Sequence, residues 1–414
     1  MTKIKNNEIT HSSNSGTSNI VMDASGNVTT AGDLTVTGND IKSSGATAIT
    51  MSGANVTVAG TLTATGGVVG LPSAGNYLIN GDMQVAQKGA SITGGGTSGI
   101  SLNNDDVYTL DQWILLSDGN DTVDVTQNTE APAPGSQFSL ALDVETANKK
   151  FGTLQIIEAK NCHALVGDSV SLSFKMKASA VDKLDSVKAA VVSWSSTADS
   201  VTSDIVSAWG VEGTRPTLAT NWTYENANDS GTTGNFTPTT SWATYTLKNV
   251  SVDTGSTANV GVFIWSDVTD TTAGQFLYIT DVQLESGSDT TAYLRKSYNE
   301  ELHNCERYYQ KIGDAGSQGI GTGFFNTSSA ATIFMPFLGK MRTAPSLLTL
   351  DSNIKVIRAS GADQNCDTTP SFQPGTHSCN FYMDGLSNGD DGFGAQLRVS
   401  GTNETSCVRL SAEL

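Results

Sequence analysis

Apolar and polar side chains alternate with a period of two in eight separate runs between residues 107 and 284. The runs cover residues 107–116, 138–144, 151–159, 170–177, 187–194, 242–252, 260–265 and 276–284. Successive side chains of a β-strand point to opposite faces, so this spacing predicts strands with one buried face. Gly, Asn, Asp and Pro separate the runs, which favours turns between them. Eight such strands predict a jelly-roll β-sandwich.

A second group of strand-like segments follows this predicted sandwich. Residues 293–309 are an exception to the alternation, because their apolar positions allow one or two helical turns. The segments beyond them cover residues 331–337, 347–350, 353–357, 379–383, 393–399 and 407–414. We therefore expect a jelly-roll domain at residues 73–300 and a smaller C-terminal β-sandwich domain at residues 301–414. All six tryptophans lie between Trp113 and Trp265, so the larger aromatic core is expected in the first of these domains.

An internal repeat precedes both domains. NVTTAGDLTVTG at residues 27–38 matches NVTVAGTLTATG at residues 55–66, and IVM at 20–22 resembles ITM at 49–51. Each copy predicts short strands with a thin apolar face, which a single chain cannot bury. Association around a threefold axis would cover that face and remove exposed strand edges. We therefore expect a trimeric stem at residues 17–72 after a polar terminus at 1–16; a loose linker is the alternative.

Composition and charge exclude several classes of function. The chain of 414 residues has 42 Gly, only 15% charged residues and a net charge of −18. Nucleic-acid binding needs a basic surface, so we expect no nucleic-acid partner. No apolar run approaches the roughly 18 residues of a membrane span, and MTKIKNNEITHSSN lacks the apolar core of a signal peptide. We therefore expect no membrane insertion and synthesis in a cytoplasm.

The five cysteines do not form a recognisable framework. Their number is odd and no two have CxxC spacing, so buried free thiols are expected. Cys366 and Cys379 flank a loop that contains His377, but a metal site there would need ligands from elsewhere.

Four stretches resemble tail-fibre and receptor-binding proteins of tailed bacteriophages. The NVTTAGDLTVTG repeat is similar to the short Gly-Thr strand repeats of fibre stems. YLINGDMQVAQKG at 77–89 and YTLDQW at 108–113 resemble the opening of a carbohydrate-binding-like jelly-roll module. FLYITDVQLESG at 276–287 and YNEELHNCERYY at 298–309 resemble its closing strand and exit segment. MRTAP at 341–345 and the terminal SAEL resemble the distal β domain.

The resemblance implies an elongated homotrimeric fibre, all-β, assembled in the host cytoplasm and located in the virion as part of the phage tail. Its N-terminus would bind a tail adaptor or another virion protein, and its distal end would bind host cell-surface polysaccharide. A non-adhesive structural virion protein, such as a tail nozzle or head fibre, is one alternative. A polysaccharide depolymerase is another.

Catalytic and ligand-binding candidates are few. None of the four histidines lies in a recognisable catalytic motif, so no enzymatic activity is expected. Sugar binding usually needs an exposed aromatic face with polar neighbours. The candidates are Trp209, Trp222 and Tyr224 in the first β domain and Phe372, His377 and Tyr382 in the last. Packing in a core or an ordinary turn remains the alternative for each of them.

No cofactor is expected. The acidic run at residues 103–106 has the oxygen ligands that Ca²⁺ prefers, so Ca²⁺ is the one ion considered there. A solvated turn is the alternative for this run.

Overall fold

Strands dominate the described part of the chain, whose contacts divide it into two units, Met1–Val69 and Gly70–Leu414. The structure is a computed structural model. It describes residues 8–9, 20–22, 28–30, 75–93, 103–226, 234–313, 316–350, 354–358, 363–365, 370–387, 389, 391–399 and 407–414.

The first unit contains a three-stranded antiparallel sheet within its described residues. Its strands are β1 (Glu8–Ile9), β2 (Ile20–Met22) and β3 (Val28–Thr30), in the order β1-β2-β3. Ile20 pairs with Thr30 and Met22 with Val28. Strand β3 lies within the first repeat copy at residues 27–38. The rest of the 1–16 terminus and of the predicted stem lies outside the described residues. The trimeric stem therefore stays a prediction.

The second unit begins with two sheets that face each other. Their strands, with two small flanking strands and a first helix, are β4 (Ser91–Ile92), β5 (Val107–Tyr108), β6 (Ile114–Ser117), β7 (Val123–Asn128), β8 (Ser139–Val144), β9 (Phe151–Ile157), α1 (Ala159–Cys162), β10 (Ser169–Ala178), β11 (Val187–Trp194), β12 (Val206–Ala208), β13 (Thr217–Leu218), β14 (Trp222–Tyr224), β15 (Asn235–Phe236), β16 (Ala243–Ser251), β17 (Asn259–Ser266) and β18 (Phe276–Ser286). The six-stranded sheet has the order β16-β10-β18-β8-β7-β4. The facing sheet has the order β14-β11-β17-β9-β6-β5, and β15 also pairs with β11.

The predicted sandwich is confirmed by the core between these sheets. Leu172 and Phe174 of the six-stranded sheet and Val191 and Ile264 of the facing sheet belong to one cluster and are fully buried. Burying such a side chain stabilises the fold by about 1.5–3 kcal/mol. The chain passes between the two sheets from β10 to β11 and again from β16 through β17 to β18. From β8 to β11 and from β16 to β18, successive strands therefore belong to opposite layers of the sandwich.

One predicted strand is wrong in its details. The run at 107–116 is a short hairpin of β5 and β6, in which Tyr108 pairs with Ile114. Gln112 has a φ of 72°, a left-handed conformation that interrupts a strand. The apolar alternation continues across the turn, and this hid it from the sequence pattern.

The outer side of the facing sheet is buried as well. Trp194, Phe263 and Trp265 on its strands pack in a second cluster with Trp209 and Trp222 of the covering segment at residues 195–226. Strands β11 and β17 are thus buried along their whole length on both faces.

A second pair of sheets follows helix α2 (Tyr298–Glu306), which confirms the helical turns predicted at 293–309. Its strands are β19 (Tyr309–Ile312), β20 (Gln318–Thr327), β21 (Ala330–Pro336), β22 (Ser346–Leu350), β23 (Ile354–Arg358), β24 (Asp363–Asn365), β25 (Ser371–Pro374), β26 (Ser378–Met383), β27 (Gly394–Val399) and β28 (Val408–Ser411). The sheets have the orders β19-β28-β22 and β24-β23-β27-β20-β21-β26-β25. Leu410 of the first and Phe325 and Phe381 of the second are buried in one core. The domain boundary predicted at residue 300 stays a prediction, because both sandwiches lie in the unit Gly70–Leu414.

Residues of the motifs at 77–89, 108–113 and 298–309 meet in a buried polar network at the joint between the two sandwiches. The Trp113 Nε1 donates to the Asn80 carbonyl at 2.9 Å, and the Asn80 amide donates to Glu301 at 2.8 Å. Gln87 donates through its backbone N to Asp111 at 2.7 Å and through Nε2 to the Tyr309 carbonyl at 3.0 Å. Buried polar groups need such partners, so these motif residues hold the structure together.

Within the described residues, no helix is both long and apolar enough to cross a membrane.

Candidate functional site

Three aromatic rings lie together on the outer face of the six-stranded sheet. Phe276 and Tyr278 are two residues apart on β18, so they share a face, and their rings lie 9° from parallel with centroids 5.6 Å apart. The Trp242 ring, just before β16, lies 6.4 Å from that of Tyr278. All three side chains are half-buried rather than covered. We call Trp242, Phe276 and Tyr278 the aromatic shelf.

Charged groups flank the aromatic shelf at the Trp242 end. Lys177 of β10 pairs with Tyr278 across the sheet, and its Nζ lies 5.7 Å from the Tyr278 ring centroid. The same Nζ lies 2.9 Å from Glu130 Oε1, which also accepts a 3.3 Å hydrogen bond from Trp242 Nε1. The hydrogen bond from Lys177 holds the pKa of Glu130 below its usual range. Glu130 is therefore an ionised acceptor that orients the indole.

A second carboxylate lies at the other end of the aromatic shelf. Asp143 of β8 is the cross-strand partner of Phe276. Burial, together with the charges of Glu145 and Asp124, raises the pKa of Asp143 to about 6. Its Oδ1 is buried and has no hydrogen-bond partner among the described residues. The aromatic shelf thus lies between a carboxylate whose pKa is lowered and one whose pKa is raised.

A groove of about 290 Å³ adjoins Trp242. Its walls are the loop at residues 132–134, Lys175 and the start of β16 from Trp242 to Thr244. Ligand pockets typically span about 300–1,000 Å³, so this groove lies just below that range and suits a single sugar ring better than a whole oligosaccharide. It places Trp242 and Thr244 next to Lys175, whose Nζ is paired with Asp281 at 2.8 Å.

The opposite end of this sheet face is closed. Gln283 Oε1 accepts from the Leu294 amide at 2.8 Å, and Asp281 is paired with Arg295 at 3.3 Å, so the segment after β18 folds back over the strand. Among the described residues, this segment covers Asp281 and Gln283 but leaves the aromatic shelf accessible.

The three aromatic candidates of the first sandwich lie elsewhere, on the outer side of the facing sheet. Trp209 is 8% exposed and packs on Phe263, and Trp222 is 6% exposed and packs on Trp194. Tyr224 is half-buried, and its hydroxyl donates to the Pro216 carbonyl at 2.9 Å. These rings are brought together, but as part of the second hydrophobic cluster. Little ring surface remains there for a ligand.

The candidates in the last sandwich are spread over β25, β26 and the turn between them. Phe372 is half-buried, and its ring centroid lies 5.3 Å from that of Phe381. His377 is exposed in the turn, where its Nδ1 lies 3.1 Å from the Thr376 hydroxyl. Tyr382 is 43% exposed. Alternation along β26 places Tyr382 on the face opposite Phe381, so these residues do not form one site.

The acidic run considered for Ca²⁺ is tied into its own loop. The Asn103 side chain donates to Asp121 at 2.9 Å and to Asp124 at 2.7 Å. Asp105 accepts from the Ser117 amide at 2.7 Å, and burial raises its pKa. No group of three metal-ligating side chains occurs within the described ranges.

Trp242, Phe276 and Tyr278 lie within predicted strands, but they were not among the residues predicted to bind sugar. The available signal was the FLY pattern at 276–278, which places two aromatic rings on one face while Leu277 points into the core. Aromatics on the polar face of a strand are the informative feature.

No family model matches this chain, and no curated protein does either. Some solved structures are similar over part of it. One is TmCBM61 in complex with beta-1,4-galactotriose, at 13% identity and a TM-score of 0.28 over 51% of this chain and 99% of that one. Another is a putative sugar binding protein from Bacteroides thetaiotaomicron, at 14% identity and a TM-score of 0.31 over 51% and 100%. A third is the enzymatically active domain of tailspike protein 4 of bacteriophage CBA120, at 14% identity and a TM-score of 0.27 over 46% and 23%. At these identities and TM-scores the three similarities assign neither a family nor a ligand.

Proposed function

We propose that this chain is a non-catalytic glycan-binding protein whose aromatic shelf stacks against sugar rings. The observation that carries the proposal is the set of three half-exposed rings on an otherwise polar sheet face. One face of a pyranose ring presents C–H groups, which pack against aromatic rings that offer a large area at a small cost in entropy. Glu130 and Lys177 supply an acceptor and a donor for hydroxyl groups at the edge of the same surface.

Titration calorimetry tests this proposal, after a glycan screen has identified a neutral oligosaccharide that the wild-type protein binds. Trp242→Ala should weaken that binding at least about tenfold, which corresponds to roughly 1.4 kcal/mol. Phe393→Ala is the matched control, because Phe393 is 61% exposed in the last sandwich and outside the aromatic shelf. Equal affinity of wild type and Trp242→Ala would contradict the proposal.

The absence of catalysis is part of the same proposal. Glycoside hydrolases use a pair of carboxylates about 5–9.5 Å apart, with the pKa of one raised. Asp143 has a raised pKa, but the charges that raise it are those of Glu145 and Asp124 and not that of Glu130. Burial has the largest effect on the pKa of Tyr278 and raises it. The charges of Glu130 and Asp143, which lie on either side of Tyr278, raise it further. We therefore propose that these two carboxylates bind ligand hydroxyl groups and do not act as a catalytic pair.

The depolymerase alternative has a direct test. Bound host polysaccharide is incubated with the protein, and new reducing ends are measured over time. New reducing ends would show that the protein hydrolyses the polysaccharide and is not a purely binding protein. If they did not form with the Glu130→Gln and Asp143→Asn variants, these carboxylates would be responsible.

We further propose that the protein acts in a phage tail, as a fibre that attaches the virion to host cell-surface polysaccharide. The Gly-Thr repeat before the sandwiches and the motifs at 77–89 and 298–309 support this role. Joining three chains through the repeat would increase the overall affinity for a glycan surface even if each site binds weakly, because the second and third sites bind at high effective concentration. The N-terminus would bind a tail adaptor.

Two measurements test the fibre role. Light scattering of the purified protein should give three times the 43.2 kDa chain mass, and a monomer would contradict the trimer. Purified protein added to host cells should compete with phage adsorption. Unchanged adsorption would favour a non-adhesive virion component, such as a tail nozzle or head fibre.

A further inference from the structure

A second cavity, of about 390 Å³, lies where the two sandwiches meet and is separate from the aromatic shelf. Helix α1 contributes Lys160 and Asn161, and α2 contributes Asn304, with Arg307 just after its end. Lys340 comes from the turn that follows β21. We call these five residues the cationic cleft.

Positive charge exceeds negative charge at the cationic cleft, although the whole chain carries −18. Among the described residues, three cationic side chains line the cavity and no Asp or Glu does. Glu158 lies beside it and binds Arg307 through two hydrogen bonds of 2.8 and 2.7 Å. Burial acts to raise the pKa of Glu158, but the hydrogen bonds from Arg307 and Tyr308 hold it below its usual range. One ionised carboxylate therefore faces three cations.

Glu158 engages only part of the positive charge of the cationic cleft. Arg307 donates to Glu158 through Nε and Nη2, which leaves Nη1 as the guanidinium nitrogen that does not bind this carboxylate. Lys340 is exposed and makes no ion pair within the described ranges, and Lys160 Nζ lies 3.6 Å from Glu158. A buried carboxylate that fixes one edge of a guanidinium leaves the other edge preorganised for an anion.

The size of the cavity and its donor set suit a charged sugar. A volume of about 390 Å³ falls within the usual range for small-molecule pockets. The amides of Asn161 and Asn304 can bind hydroxyl groups, while Ile79 and Tyr308 add apolar wall. Gly339 has no side chain to fill the space beside His303, where a Cβ would lie 3.3 Å from His303 Cε1.

We propose that the cationic cleft binds the anionic group, carboxylate or phosphate, of an acidic sugar residue. The sugar part of this proposal rests on the proposed glycan-binding function, whereas the anion part does not. The Arg307 Nη1 and the ammonium groups of Lys160 and Lys340 bind the anion, and the two asparagines bind the ring hydroxyls. The protein thereby has a site for charged glycan residues besides the site for neutral ring faces.

Calorimetric titration of the full chain at low salt tests this inference, with D-glucuronate, glucose 6-phosphate, inorganic phosphate and D-glucose as probes. We expect glucuronate or glucose 6-phosphate to bind, and to bind more tightly than glucose and inorganic phosphate. The double variant Lys160→Gln/Lys340→Gln should weaken that binding at least about tenfold. The control Lys183→Gln/Lys248→Gln removes the same charge from exposed lysines paired with Asp270 and Asp289, and should change the affinity less than twofold.

Each other outcome has a definite meaning. An equal loss of affinity in the control variant would show that the anion is attracted by overall charge, and it would overturn the proposed binding at the cationic cleft. Equal affinity for inorganic phosphate and the sugar phosphate would overturn the sugar part. A wild-type protein that binds glucuronate but no neutral oligosaccharide would contradict the aromatic shelf and leave the cationic cleft standing.

Discussion

Lys150 Nζ and Asp267 Oδ1 lie 2.8 Å apart inside the first sandwich, with side chains only 1% and 2% exposed. Lys188 binds the other Asp267 oxygen at 2.8 Å, and the Gly213 amide donates to it at 3.0 Å. Lys150 also donates to the Val211 carbonyl at 2.8 Å. This buried cluster fastens the covering segment at 195–226 to the sandwich.

Replacing Lys150 should therefore be costly. Lys150→Met removes one of the two ammonium partners of Asp267 and the donor to the Val211 carbonyl. Because Lys188 still pairs with Asp267, the expected cost is that of a buried polar group left without its partner, about 1–3 kcal/mol. Urea unfolding measures the loss in the free energy of unfolding. Lys149→Met is the neighbouring control, because Lys149 and Asp118 form an exposed pair at 3.3 Å that is worth at most about 1 kcal/mol. Similar losses in the two variants would contradict the role of the buried cluster.

Ligand binding should be visible through one tryptophan. Trp113, Trp194, Trp209, Trp222 and Trp265 are all buried, whereas Trp242 is half-buried. A glycan stacked on the aromatic shelf should thus change the emission of Trp242 and shield it from acrylamide. The change should disappear in Trp242→Phe and persist in Trp222→Phe. A signal that survives in Trp242→Phe would place the ligand elsewhere.

The pKa of Asp143 predicts a pH-dependent gain in stability on substitution. Its pKa is raised from 3.8 to about 6 by burial and by nearby carboxylates, so the folded state resists its ionisation. The resulting loss of stability is absent below about pH 4, develops as the pH rises to 6 and is complete above that. Asp143→Asn should consequently raise the melting temperature at pH 7.5 and leave it nearly unchanged at pH 4. Asp185→Asn, at an exposed position, provides the control, and an equal gain at both pH values would contradict the assignment.

Two thiols should be inert in the folded protein. Burial raises the pKa of Cys162 and that of Cys379 to about 12, so little thiolate forms at pH 8. Iodoacetamide followed by peptide mass spectrometry should label neither cysteine until the protein is unfolded. Rapid labelling of Cys162 in the native protein would show that helix α1 opens locally.

The resemblance motifs and the strand pattern anticipated most of the first sandwich. The run that became β10 alternates strictly and the run that became β17 is apolar throughout, and a short-range pattern suffices to identify such strands. Cysteine burial could also be anticipated: Cys162, Cys305, Cys379 and Cys407 are buried and in no disulfide with one another. Cys366 lies outside the described residues.

Strand β20 shows why part of the last sandwich was missed. Its sequence QGIGTGFFNT contains three glycines, which are depleted in strands. A Cβ at Gly323 would lie 1.8 Å from the Thr332 carbonyl oxygen of the neighbouring strand. The glycine is required by close approach of two strands, and a sequence does not display that distance.

The aromatic residues mark the limit of prediction most clearly. The sequence alone determined that alternating strands would bury one set of side chains between two sheets, because the period of two is a local property of the backbone. It could not determine which outer face would be covered. Tertiary structure decided that the segment at 195–226 buries Trp209 and Trp222, while Trp242, Phe276 and Tyr278 on the other sheet stay accessible. The physical reason is that exposure depends on which distant segment packs over a face, and this is settled by contacts between residues far apart in the chain.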